Sequence, residues 1–147
     1  RVDYNITPDL TIQYWGQPFF GSGSYTDFKY ITDPNAPEFT DRFHIYNENE
    51  IIYDEDDGNY HVDEDVDGSF DYSFEKPDFT VSEFLSNLVI RWEFLPGSTA
   101  YLVWSQTRDY YTGDGKFDIS DQMHDLLTVR RPYNVFLVKL SYRFGLR

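Results

Sequence analysis

The feature that most constrains this chain is a set of alternating apolar and polar runs whose connections alternate between short and long. Val2 to Thr7 puts Val2, Tyr4 and Ile6 on one face and Asp3 and Asn5 on the other. Leu10, Ile12 and Tyr14 then alternate with Thr11, Gln13, Trp15 and Gln17, and Tyr25 to Tyr30 extends the run, so a strand is expected over about 10–30. Leu88, Ile90, Trp92 and Phe94 oppose Asn87, Val89, Arg91 and Glu93 in a strand over about 86–95. Two more are expected at about 99–111 and 134–144; the last carries Phe136, Val138, Leu140, Tyr142 and Phe144 against Lys139, Ser141 and Arg143. Period-two alternation is the signature of a strand with two different environments on its faces. The first strand is thus expected over about 1–7.

Pro8-Asp9 and Pro96-Gly97-Ser98 are tight-turn signals. The other two connections are long, about 31–85 and 112–132. The first far exceeds the usual 4–6 residues and is expected to carry hairpins of its own. In the second, Ser120 to Leu127 reads as a short helix with Ser120 as its cap. The fold class is therefore all-β, with antiparallel up-and-down strands. Short turns at one end and long loops at the other are the rhythm of an outer-membrane barrel.

Aromatic residues make up 20% of the chain, a load that favours strands over helices. Trp92, Phe94, Trp104, Tyr142 and Phe144 fall near strand ends, where an interfacial girdle needs them. The opposite faces carry Gln13, Gln17, Arg91, Glu93, Lys139 and Arg143. A polar barrel interior accepts such groups; a dry core does not. The expected architecture is the C-terminal part of a transmembrane β-barrel with long acidic extracellular loops, spanning 1–147. A soluble antiparallel sheet with one wet face shows the same alternation. Five strands fall short of the even number, about eight or more, of single-chain barrels. The remaining strands are then expected elsewhere in a longer chain or on other chains of a complex. The start at Arg1, the absence of a signal peptide and a sole methionine at Met123 fit a chain cut from something longer.

Net charge is −14, unevenly spread. Between Asp33 and Glu83 there are 17 acids and two bases, Arg42 and Lys76, leaving 9 acids and 10 bases elsewhere. A nearly neutral body with one acidic insert is no nucleic-acid binder, because phosphate contacts need clustered cations. Without cysteine, disulfides, thiolate metal sites and thiol catalysis are excluded.

The runs Asp63-Glu-Asp-Val-Asp-Gly-Ser-Phe-Asp-Tyr-Ser-Phe74 with Pro77-Asp-Phe79, Ser86 to Phe94 with Pro96-Gly-Ser-Thr99, Leu102-Val-Trp-Ser-Gln106 and Asn134 to Tyr142 are distinctive together. So are Asp3 to Tyr14, Phe28-Lys29 and Thr32-Asp-Pro34. This set resembles the C-terminal end of a large Gram-negative outer-membrane family of unknown function, whose members pair an N-terminal carbohydrate-binding-module-like domain with a C-terminal β-barrel. The resemblance covers essentially the whole chain. It implies the last strands of a longer barrel in the outer membrane of a Gram-negative bacterium, and it supplies no activity.

The best chemical constellation is Asp63-x-Asp65-x-Asp67-Gly68-x-Phe70-Asp71. Alternate acids with a glycine at the turn resemble the start of a calcium loop, and calcium wants six to eight oxygens. Asp63, Asp65, Asp67 and Asp71 are the expected ligands for Ca2+. Phe74 stands where a bidentate Glu belongs, and Glu75 comes one residue late. A solvated acidic loop is the alternative. Asp54-Glu-Asp-Asp-Gly58 is a second, poorer cluster. His44, His61 and His124 fall in expected loops without metal spacing. No catalytic constellation is present, and no enzyme is expected. Tyr53, Tyr60, Phe70, Tyr72 and Phe74 could stack on sugar rings or pack within the loop. Arg130-Arg131 could neutralise the acidic loop or touch anionic lipid. The expected function is a barrel segment, structural or transport-related, with membrane lipid and the rest of the barrel as partners. The alternative is a calcium-ordered surface for a glycan or protein ligand.

Overall fold

A computed structural model describes residues 1–128 and 131–145. Arg130 of the basic pair lies outside them, while Arg131 is exposed. The strands are β1 (Val2–Thr7), β2 (Leu10–Gly23), β3 (Lys29–Ile31), β4 (Phe43–Ile45), β5 (Ile51–Asp54), β6 (Asn59–Val62), β7 (Tyr72–Glu75), β8 (Phe79–Leu95), β9 (Ser98–Thr112) and β10 (Tyr133–Ser141). The chain has one α-helix among the described residues, α1 (Ile119–Thr128). It divides into two compact units.

The first unit is a five-stranded sheet in the order β1-β2-β8-β9-β10. The pairs β1–β2, β8–β9 and β9–β10 are antiparallel. β2 neighbours β8 in the opposite sense: Asp9 O accepts from Glu93 N, Gly16 lies against Phe84 and Gly21 against Val81. The sheet is open, with β1 and β10 at its edges.

Register sorts the side chains as the alternation requires. Leu88 faces Trp104, Ile90 faces Leu102 and Trp92 faces Ala100. Trp104, Leu102 and Ala100 in turn face Phe136, Val138 and Leu140. On β1–β2, Val2 pairs with Tyr14 and Tyr4 with Ile12. This is a continuous apolar face. The other face is mixed: Asn87 donates to Ser105 Oγ at 2.7 Å, Arg91 donates to Glu93 at 2.9 Å, and Lys139 sits over the Tyr101 ring. Val89, Val103 and Leu137 lie among these polar rows.

The apolar face is not a core. Among the described residues the buried apolar side chains are Ala36, Val62 and Leu126 alone. Trp92 is 52% exposed, Val138 68% and Leu140 72%. Trp104 stacks on Phe136 at 6.0 Å while its indole N–H donates to Asn134 Oδ1 at 2.8 Å. At the other end Phe94 stacks with Tyr142, which meets Phe144 edge-on.

Several expected boundaries move. The strand expected over 10–30 ends at Gly23, and Lys29–Ile31 pairs instead with Phe43–Ile45. Asp78 is the reason: its carboxylate takes the Tyr25 amide at 2.8 Å and the Ser24 hydroxyl at 3.2 Å, ending the extension. Asp27, at φ +54, then turns the chain. The strand expected from 86 starts at Phe79, so the connection expected over 31–85 ends at Asp78. It holds β4 to β7 and a 3-10 turn at Phe39–Arg42. The third long strand covers Ser98–Thr112, and the last covers Tyr133–Ser141, stopping short of Tyr142 and Phe144.

The helix expected over Ser120–Leu127 is α1, one residue longer at each end. Its cap is not Ser120. The Asp118 carboxylate accepts from the amides of Ser120 and Asp121 at 2.8 and 3.2 Å, which satisfies donors the first turn leaves open. At the far end Arg108 donates to the carbonyls of Leu126 and Leu127 at 2.8 and 2.9 Å, where a cation is also favoured. Leu126 is fully buried. Leu126→Ala is expected to cost about 2–5 kcal/mol of helix docking, read as lost hydrogen-exchange protection over 119–128.

The second unit is built on β3–β4 and the meander β5-β6-β7. Tyr60 is its aromatic centre: Phe28, Tyr53 and Phe74 lie 4.7, 4.9 and 5.4 Å from it between ring centroids.

Candidate metal centre in the acidic unit

The loop between β6 and β7 is written by its aspartates. Asp63 is buried, and its carboxylate accepts from the amides of Asp67 at 3.1 Å and Gly68 at 2.9 Å. Asp65 Oδ1 accepts from the Asp67 amide at 3.3 Å, and Asp71 Oδ2 from the Glu64 amide at 2.7 Å. Two residues take left-handed backbone, Val66 at φ +57 and Gly68 at φ +92. The glycine adopts this without strain; the valine does not.

This winding brings carboxylate oxygens of Asp63, Asp65 and Asp71 within 4.8 Å of one another. Such a group could hold a hard cation and would supply three of the six to eight oxygens that calcium takes. Asp67, expected as a fourth ligand, is not in the group. Its Oδ1 accepts from the Ser69 amide at 2.8 Å, as the other three aspartates accept from amides of the same loop. Its charge still matters. The Asp65 carboxyl is held above the usual aspartate range, first by Asp67, then by desolvation, with Asp71 and Asp63 adding.

A second group joins Asp54, Asp57 and His61 within the same 4.8 Å. The sequence places His61 beside the acidic run as a hydrogen-bonded residue, and one such bond goes to Asp57. The signal is its i+4 spacing from Asp57 across the β5–β6 turn. His61 Nε2 lies 3.1 Å from Asp57, Nδ1 lies 2.7 Å from Ser73 Oγ, and the ring stacks on Phe70 at 4.8 Å. The expected loop histidines all sit on regular elements: His44 on β4, His61 on β6 and His124 on α1.

Of the five aromatics with the chemistry for sugar stacking, Tyr53 and Phe74 each pack against Tyr60, and Tyr53 keeps an exposed edge. Phe70 and Tyr72 stay exposed. The Tyr46 and Tyr72 hydroxyls bond each other and both bond Glu64, and burial, with the Tyr46 bonds to Tyr72 and Glu64, pushes the Tyr46 phenol up.

Two further carboxylates lock the unit. The Asn47 amide and His44 hold Glu50 below the usual glutamate range. The Tyr25 amide and the Lys76 ammonium, 3.0 Å away, hold Asp78 below the aspartate range. Both groups favour the folded state above about pH 4, and that contribution is lost as pH falls through their depressed values. Asp65 has the opposite sign. Without a cation, its loop is expected to gain hydrogen-exchange protection as pH falls through its raised value. Tyr25 and the 43–50 segment are expected to lose protection only at lower pH.

No protein-family model, curated protein or solved structure matches this chain.

Proposed function

We propose that this chain forms part of the wall of an outer-membrane β-barrel, and that its acidic unit is an extracellular surface ordered by calcium. The observation that carries the first part is the exposed apolar face of the five-stranded sheet. Covering a side chain such as Leu102, Val138 or Leu140 is worth about 1.5–3 kcal/mol each. The face as a whole then represents on the order of 10 kcal/mol, comparable with the entire stability of a domain. Lipid covers it. Trp104, with its ring on the apolar face and its N–H on Asn134, has the split character of an interfacial anchor. Phe94 and Tyr142 supply the opposite row. The mixed face, with Asn87, Arg91, Glu93 and Lys139, suits a barrel interior.

The test is a blot of carbonate-washed membranes from the source cells with an antibody to residues 54–75. The expected band stays in the membrane pellet and runs well above 17.5 kDa. A soluble band at that mass overturns the reading.

The second part rests on the converging oxygens of Asp63, Asp65 and Asp71. Its role is structural: a divalent ion would offset the repulsion within the loop and present Phe70 and the neighbouring acids to a glycan or protein ligand.

A further inference from the structure

The two edges of the sheet carry more information than its faces. β1 and β10 are its outer strands, and every residue of both is exposed. In hydrocarbon an unpaired backbone N–H or C=O costs several kcal/mol, so a spanning sheet must close. What can close it follows from strand direction.

β1 runs from the loop end of the sheet to the Pro8-Asp9 turn, and each later neighbour reverses. β2 runs back, β8 follows β1, β9 follows β2, and β10 ends at the same side as Pro8-Asp9 and Gly97. The two edge strands are therefore parallel to each other. Joining β10 to β1 directly, or to β1 of a second copy, makes a parallel seam. Turning a copy over restores antiparallel pairing, β1 to β1 and β10 to β10. It would also place the acidic units on opposite sides of the membrane.

Resting on the barrel reading, we infer that β1 and β10 are closed by an odd number of further membrane-crossing strands, at least three, that are not copies of this sheet. An all-antiparallel barrel has an even total of about eight or more, and five strands leave an odd remainder of three or more. The strand beside β10 continues its outer row of Phe136, Val138 and Leu140 with apolar residues. The strand beside β1 does the same for Val2 and Tyr4.

The chain has no cysteine of its own, so single cysteines can report sidedness in the full-length protein in its own cells, with any other cysteine replaced. Arg1→Cys, Asp9→Cys, Asp56→Cys and Gly145→Cys are each treated with a membrane-impermeant maleimide before and after permeabilisation. Expected labelling on intact cells is at 1 and 56; positions 9 and 145 label only after permeabilisation. If 1 and 145 fall on the same side, the odd count is wrong and the barrel reading survives. If 9 and 56 are both reached on intact cells, the barrel reading itself fails. Native mass measurement of the detergent-extracted particle should find one copy of this sequence per closed barrel. Two copies in one barrel overturn the inference.

Discussion

If lipid covers the apolar face of the sheet, Leu102→Arg will prevent stable assembly in the membrane, whereas Val103→Arg will leave it nearly intact. The two residues are adjacent on β9 and differ in the face they occupy. Leu102 sits between Ile90 and Val138, inside the band bounded by Trp104 and by the Phe94–Tyr142 pair. Arginine on the lipid face near the midplane costs about 2–4 kcal/mol, while interior substitutions mainly tune selectivity. Val103 lies between Val89 and Leu137, with the Asn87–Ser105 and Arg91–Glu93 pairs in the flanking rows. The measurement is the heat-modifiable folded fraction in isolated outer membranes, with urea midpoints for both variants. Equal tolerance, or loss at Val103 with Leu102 spared, would contradict a lipid-covered face.

Asp65→Asn is expected to have opposite signs with and without calcium. In the absence of a divalent ion it removes a charge that Asp67, Asp71 and Asp63 repel, so the 63–71 loop should be better protected from hydrogen exchange. If the loop binds calcium through Asp63, Asp65 and Asp71, the same change removes a ligand. Extracellular calcium modules bind at about 10⁻⁴–10⁻³ M, and the variant should lose at least tenfold, read by calorimetry. Asp67→Asn should lose less than Asp65→Asn, because the Asp67 carboxylate is not among the three that converge. Calcium affinity should also fall as pH drops, since Asp65 takes up its proton earlier than an ordinary aspartate. No heat on titration, with no difference between variants, ends the calcium reading.

The long strands were legible because their alternation runs for many residues and each side of the sheet has a different character. Their ends were not. Phe79 to Leu85 alternates less cleanly, with Glu83 and serines among the apolar residues, and its strand identity comes from pairing with Thr107 to Thr112. The short strands of the acidic unit were beyond reach for another reason. Runs such as Phe43–Ile45 or Tyr72–Glu75 are too brief to show a period, and only cross-strand partners define them. At the helix, Asp118 and Ser120 are both good caps by residue type; the backbone geometry selected the aspartate. In the acidic loop, spacing alone suggested four aspartates, and the winding at Val66 and Gly68 brings the carboxylates of three of them, Asp63, Asp65 and Asp71, within 4.8 Å of one another. His61 stands four residues from Asp57, and the β5–β6 turn brings Asp54 to the same pair.

The long connection between β2 and β8 also bears on the order of folding. Bringing β8 beside β2 through a disordered connection spanning residues 24–78 would carry a large loop-closure entropy, which grows by about 0.6 kcal/mol with each doubling of length. That connection instead contains β5-β6-β7, a meander of neighbouring strands. Local pairings form early because little chain must be closed to make them. Once the meander is formed, the ends of the connection are tethered by far fewer free residues. Asp78, bonded to Tyr25 and Ser24, draws those ends together. The rate at which the β2–β8 seam zips is thus governed by residues that are not in the seam, and a fault in the acidic unit should appear first as slow assembly of an otherwise unaltered sheet.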